Sequence, residues 1–208
     1  NCMPRTFTRP FHIRYYECDP YGHVNNANYL RYATQAALEA SADAGYDTAK
    51  YRELGTVWLI REAGIKYLRP ARFGETLNVK TWVGDSLAER VRSRREYEMT
   101  LASSGELIAR AYTDWVYLDA QTLQPARIPD EMMAAFFPEG APAEAPKREP
   151  FPEPPSPPPG AFTTQRRVAW HPLDTAGHMN SAWYLSLIED VAIDAAAHAG
   201  WPLQSSTE

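Results

Sequence analysis

The chain has 208 residues, 44% hydrophobic and 23% charged, with a formal net charge of −5 and a pI near 5.6. This size suits one domain plus part of another, and the balance is that of an ordinary globular protein. The acidic excess excludes a general nucleic-acid binder, and no apolar run approaches the ~18 residues of a membrane span. No charged-then-apolar leader precedes a small-residue cleavage site, and the two cysteines, Cys2 and Cys18, make no disulfide framework. A cytoplasmic location is expected.

In chain order, Phe11, Ile13 and Tyr15 alternate with His12, Arg14 and Tyr16, which predicts a strand over Thr8–Glu17. Pro20 and Gly22 mark a turn over 18–23. Asn25 or Asn26 suits a helix cap, and Tyr29, Ala33, Ala36, Ala37, Ala40 and Ala44 form one helical stripe that stops at Gly45. Small alanines let a sheet approach that helix closely. Four strands are expected next: Val57–Leu68, Glu75–Gly84, Leu87–Leu101 and Glu106–Leu118, the last pair joined by a Ser103-Ser104-Gly105 hairpin. On the second of these, Leu77, Val79, Thr81 and Val83 share a face. On the third, Val91, Tyr97, Met99 and Leu101 point inward, and Arg92, Arg94, Glu96 and Glu98 outward. A short helix is expected over Pro129–Phe137.

Residues 138–160 carry ten prolines and read as an extended spacer. Thr163–Trp170 then reads as a strand and Asn180–Ala199 as a second alanine-bearing helix. The organisation is therefore a complete domain over 5–137, a linker over 138–160 and the N-terminal part of a second domain over 161–208.

One pattern appears twice. Asp19-Pro-Tyr-Gly22-His23-Val-Asn25-Asn26-Ala-Asn-Tyr29-Leu30 recurs as Asp174-Thr-Ala-Gly177-His178-Met-Asn180-Ser-Ala-Trp-Tyr184-Leu185, at an offset of 174 − 19 = 155. A single structural unit was used twice. Each copy delivers a carboxylate and a tight turn to the start of a buried helix. The first N–H groups of a helix lie outside its ladder, and its dipole makes that end electropositive. Such an end can hold a developing oxyanion, while the carboxylate activates water or attacks a carbonyl.

These residues resemble the hotdog-fold thioesterases of the 4-hydroxybenzoyl-CoA thioesterase type. The stretch Tyr67-Leu-Arg-Pro-Ala-Arg72-Phe-Gly-Glu-Thr-Leu-Asn-Val-Lys-Thr-Trp82 is similar to later strands of the same family. The tandem arrangement resembles double-hotdog acyl-carrier-protein thioesterases. The resemblance implies an α+β hotdog fold: a five-stranded antiparallel sheet wrapped around one long helix, here followed by a partial second hotdog. It implies hydrolysis of an acyl-CoA or acyl-carrier-protein thioester, with no metal and no cofactor. It also implies a homodimer or an internal pseudo-dimer with the site at the shared face.

Carried over by residue, Asp19 is the catalytic carboxylate and Asn26 supplies a backbone donor. Gly22, His23 and Asn25 shape the turn, with His23 and Asn25 as candidate contacts to substrate or water. Asp174, Gly177, His178 and Asn180 are their counterparts in the second copy, where Ser181 stands in place of a second asparagine. Tyr29 is read as a core contact and as a candidate substrate neighbour. Arg69, Arg72, Arg92 and Arg94 are candidates for the phosphates of coenzyme A or the acidic face of a carrier protein. Against each stands a plainer reading: Asp19 capping its own turn, His23 as a structural histidine, the arginines on a solvated face. Cys18, beside Asp19, is weighed as a thiol nucleophile and disfavoured. Two rival functions remain open at this stage, a hotdog hydratase or dehydratase and a non-catalytic acyl-thioester binding or dimerisation module.

Overall fold

In the computed structural model, residues 3–84, 90–141, 152–174 and 177–201 are described. The chain divides into two compact units, Asn1–Pro146 and Lys147–Glu208.

The first unit contains β1 (Thr6–His12), α1 (Asn26–Asp43), α2 (Thr48–Leu54), β2 (Thr56–Tyr67), β3 (Thr76–Val83), β4 (Arg92–Leu101), β5 (Leu107–Asp119) and α3 (Asp130–Phe136). The strands form one antiparallel sheet in the order β1-β3-β4-β5-β2. Helix α1 lies against β1 and β3. Its buried positions include Ala27, Ala33, Ala36, Ala37 and Ala40, small side chains that bring its backbone close to the sheet. This is the expected α+β hotdog arrangement. β3 buries Leu77, Val79, Thr81 and Val83 on one face, as its period of two requires.

β1 departs from expectation. Pairing with β3 ends at His12 opposite Thr76, and Tyr15–Glu17 form a single 3₁₀ turn. The Glu17 carboxylate accepts from the Arg14 N–H at 2.7 Å, so a local side chain competes with the ladder and turns the chain. Tyr15 consequently leaves the alternation and is 80% exposed, whereas Ile13 is fully buried. Helix α2 was not anticipated, although Asp47 caps it through the Lys50 N–H and Gly55 closes it. β4 begins at Arg92; the earlier part of the expected strand, Leu87–Glu89, lies outside the described residues.

Strand β2 stands at one edge of the sheet. Its outward side carries a cluster shared with β4 and β5. Arg94 meets Asp114 through two contacts of 2.8 Å and lies 4.2 Å over the Tyr112 ring, and the Tyr112 hydroxyl donates to Glu62 at 2.8 Å.

The second unit contains α4 (Ser181–His198). No strand occurs among its described residues, which corrects the expectation over Thr163–Trp170. A strand exists through its ladder, and the described part of this unit offers no partner strand. Of the spacer, residues 152–160 carry no helix or strand, and 142–151 lie outside the described residues.

Candidate active site

The turn that follows β1 is tied to itself and to α1. Asp19 N–H donates to the His23 carbonyl at 2.8 Å, and Gly22 N–H donates to the Asp19 carbonyl at 2.9 Å. Asp19 Oδ1 accepts from the N–H groups of Tyr21 at 2.9 Å and His23 at 3.1 Å. Gly22 has φ +75°, the left-handed region that a side chain resists and a turn this tight requires. Two residues beyond His23, Asn25 N–H donates to the Glu17 carbonyl at 2.9 Å, and the Asn25 side chain caps α1 through Ala27 N–H at 3.0 Å. Asn26 is the first residue of α1, so its N–H falls outside the i→i−4 ladder. The half-buried Asp19 is therefore carried to the electropositive end of the helix by a closed loop of hydrogen bonds. Oδ1 serves the turn. Oδ2 takes no hydrogen bond among the described residues.

Surrounding residues fix this end of α1. The Tyr67 hydroxyl donates to the Asn26 carbonyl at 3.0 Å, and the Tyr29 hydroxyl accepts from Ala71 N–H at 3.1 Å. Asn28, 7% exposed, donates to the Glu17 carbonyl at 2.7 Å and accepts from Arg31 at 2.5 Å. Arg72 pairs with His23 through an isolated antiparallel bridge, and its Nη1 lies 4.0 Å from where a Cβ on Gly22 would sit. A guanidinium thus flanks the turn.

Burial raises the Tyr29 phenol above its ordinary pKa, which keeps it neutral and suited to its tether. The Cys18 thiol is also pushed up, first by burial and then by the charges of Asp19 and Glu17. A thiol so placed forms the thiolate less readily, which disfavours Cys18 as a nucleophile.

The second unit holds the same local geometry. Asp174 N–H donates to the His178 carbonyl at 2.9 Å, and Asp174 Oδ1 accepts from His178 N–H at 3.3 Å. Gly177 repeats φ +75°, and Asn180 caps α4 through Ala182 N–H at 3.0 Å. The cap angles agree as well: φ −56°, ψ 137° at Asn25 and φ −57°, ψ 137° at Asn180. Here His178 and Gly177 are exposed.

A pocket opens in the first unit between the C-terminal half of α1 and the sheet, with Ala37, Ser41, Trp58, Arg95, Trp115 and Phe136 in its wall. Its volume is about 50 Å³. Asp19 does not line it. At 1.5 Å per residue, Ala37 to Ser41 lie roughly 17–22 Å along α1 from Asn26. Among the described residues no group of three or more His, Cys, Asp or Glu side chains could hold a metal ion. None of the helices they form is long and apolar enough to cross a membrane.

Residues 13–136 match the family pattern of the thioesterase-like superfamily, over half of the chain. The chain belongs to the thioesterase-like superfamily. An acyl-[acyl-carrier-protein] hydrolase, FATB2, from Cuphea viscosissima is 24% identical over 191 residues, covering 88% of this chain and 46% of that protein. The chain spans about half the length of the curated plant relatives it matches. Among solved structures, the 12:0-ACP thioesterase from Umbellularia californica superposes with a TM-score of 0.73 at 21% identity, covering 93% of this chain and 72% of the other. Slr0204, a 1,4-dihydroxy-2-naphthoyl-CoA thioesterase from Synechocystis, gives a TM-score of 0.58 at 23% identity, covering 63% and 95%. These likenesses establish the fold.

Within this superfamily member, the turn gathers Asp19, Gly22, His23, Asn25, Asn26 and Arg72 at one helix end. Three sequence candidates sit elsewhere in the bonding scheme, Arg94 among them in its ion pair with Asp114. Arg69 is exposed and ion-paired with Glu106, beside the β4–β5 hairpin. Tyr29 is 2% exposed and bonded to Ala71, so its hydroxyl is already used. Sequence reasoning gave no site role to Tyr67, Asn28 or Glu17. Asn28 carries a signal: a poor helix former one turn inside a helix needs a partner.

Proposed function

We propose that this protein hydrolyses acyl thioesters, releasing a carboxylic acid and a free thiol. The observation that carries the reading is the Asp19 loop: one carboxylate oxygen is bonded into the turn, the other takes no hydrogen bond among the described residues, and the turn leads directly into the N-terminus of α1. In this reading the carboxylate either takes a proton from a water that attacks the thioester carbon or attacks that carbon itself. The carbonyl oxygen gains negative charge, and the helix-start amides, Asn26 N–H foremost, stabilise it. Collapse breaks the C–S bond, and the sulfur leaves to take up a proton. His23 and Asn25 border the attacking position, and Arg72 is placed to meet the phosphates of the carrier. No cofactor enters the scheme.

The thiol carrier is coenzyme A or an acyl carrier protein; the relatives' names include both classes. The edge position of β2 supports side-by-side pairing with a second hotdog, either a second copy or a unit of the same longer chain. The matching geometry at Asp174, Gly177, His178 and Asn180 supports reading residues 161–208 as part of such a second hotdog. The cytoplasmic location belongs to this proposal through the cysteine usage.

A second reading, a non-catalytic acyl-thioester binding module, is favoured by one observation: Asp19 already has a structural task in its turn. Thiol release across a panel of acyl-CoA and acyl-carrier-protein substrates separates the two. Asp19→Asn keeps an oxygen for the turn and should lower turnover by about 10²–10⁴-fold. A folded Asp19→Asn protein that turns over as fast as the parent would sink the catalytic reading. Tight binding by the parent with no turnover would favour the module.

A further inference from the structure

β4 alternates, so its inward face presents Ser93, Arg95, Tyr97 and Met99. Arg95 is the anomaly. It is 7% exposed and lines the pocket beneath α1, with its guanidinium 5.3 Å over the Phe136 ring. Four surface arginines each meet a carboxylate: Arg5 with Asp43, Arg9 with Glu39, Arg69 with Glu106, Arg110 with Glu98. Arg95 is more buried than any of these, yet among the described residues no carboxylate meets it and no hydrogen bond reaches its guanidinium. Burial pulls its pKa down, with only the Tyr97 and Tyr51 phenols opposing. A guanidinium stays protonated regardless, so the charge must be met.

Apart from Ser93, whose hydroxyl takes no hydrogen bond among the described residues, the neighbouring polar groups are already engaged. Ser41 Oγ and the Tyr51 hydroxyl bond each other at 2.8 Å, and Trp115 Nε1 donates to Thr113 at 2.6 Å. The remaining wall is largely apolar, including Ala37, Trp58 and Phe136. An apolar pocket with one unspent cation suits a ligand that is apolar along its length and anionic at its tip. The planar guanidinium fork fits a carboxylate. The narrow volume suits a slender linear end over a ring.

We infer that Arg95 selects the far end of the acyl group: the pocket takes linear acyl chains that end in a carboxylate, that is, thioesters of dicarboxylic acids. This rests on the thioesterase reading for its substrate but not for its binding test. Binding is measured by calorimetry on the full chain with monomethyl suberate against methyl octanoate, and with monomethyl dodecanedioate against methyl laurate. Each pair differs at one chain end. The parent should favour the acid of at least one pair by about 10- to 100-fold, the value of a hydrogen-bonded charge. Arg95→Met should abolish or reverse that preference, and Arg95→Lys should retain part of it. Thiol release from hexadecanedioyl-CoA against palmitoyl-CoA forms the second arm, because the acyl chain must span the roughly 17–22 Å from Asn26 to the pocket, and should show the same preference in kcat/KM.

Equal or weaker binding of both acids by the parent overturns the inference, a result that needs no variant to fold. Acid preference that survives in a folded Arg95→Met protein also overturns it. Hydrolysis of palmitoyl-CoA with no acid preference leaves the thioesterase reading standing and the Arg95 assignment refuted. Acid-selective binding without thiol release from any substrate does the reverse.

Discussion

Gly64→Ala tests how tightly the outer face near the β2 edge is built. A Cβ on Gly64 would lie 2.4 Å from Tyr112 Cε1, 2.7 Å from Cζ and 3.0 Å from the hydroxyl oxygen. Carbon atoms do not approach so closely, so the ring must leave. It is held from two sides. Arg94 lies 4.2 Å above it and is itself fixed by Asp114, and Glu62 accepts from its hydroxyl at 2.8 Å. Moving the ring forfeits a hydrogen bond to a carboxylate, about 1.5–2 kcal/mol net, and a half-exposed cation–π contact of about 0.5–1 kcal/mol. Alanine returns about 0.4–1 kcal/mol by restricting the unfolded chain. The net expectation is a loss of about 1–2.5 kcal/mol, read as a lower urea midpoint with an unchanged slope. The same change in a Tyr112→Ser background should cost under about 0.5 kcal/mol, because nothing stands in the way. An equal loss in both backgrounds, or none in the first, would show that the ring is not what excludes a side chain at Gly64.

Tyr29→Phe should leave Ala71 N–H buried without its acceptor and cost about 1–3 kcal/mol, with kcat/KM on any accepted thioester changed less than about threefold; a selective loss of activity at unchanged stability would restore Tyr29 as a substrate contact. Asp19→Ala should destabilise the first unit more than Asp19→Asn does, since alanine deserts both the Tyr21 and His23 amides; equal urea midpoints would refute the turn's reliance on Oδ1. Glu96 and Asp119 should move stability in opposite senses with pH. Burial raises the Glu96 pKa, so the folded state holds its proton longer than the unfolded chain, and stability falls as pH rises from the unfolded value through the folded one. Glu96→Gln should therefore raise Tm at neutral pH and lose that gain in acid. Hydrogen bonds from the Thr122 amide and hydroxyl and the Gln121 amide lower the Asp119 pKa, so its contribution is present above the unfolded value and is lost as pH falls through the folded one. Asp119→Asn should lower Tm at neutral pH, with the deficit closing in acid; parallel pH profiles for the two variants would contradict both assignments.

What could be read from the sequence depended on whether a local rule or a distant contact decides the outcome. The face of β3 was plain because Leu77, Val79, Thr81 and Val83 obey one period. Helix α1 was plain because its cap and alanine stripe lie within one window. The end of β1 was not, because a single Glu17 carboxylate outcompetes the ladder at Arg14. The second-unit strand failed for a non-local reason: alternation describes a face, but a ladder needs a neighbour. At the site, the Asp19–Asn25 loop was legible from its own residues. The approach of Arg72 to Gly22, the Tyr67 bond to Asn26 and the Tyr29 bond to Ala71 all arise from segments far apart in sequence. Arg95 was hidden by its neighbours. In Arg92-Ser93-Arg94-Arg95-Glu96 the run of charges draws attention to the outward face, although the period that turns Val91, Tyr97 and Met99 inward also turns Arg95 inward, as the burial of β4 shows.

The twin loops give the molecule a built-in reference. Any substitution confined to the shared backbone bend, Gly22→Ala beside Gly177→Ala, imposes the same strain on the same dihedral angles within one polypeptide. The surroundings differ, for Arg72 approaches the first glycine, whereas among the described residues nothing lies within 4 Å of a Cβ on the second. Subtracting one effect from the other isolates what the environment adds to the bend, without recourse to a second protein.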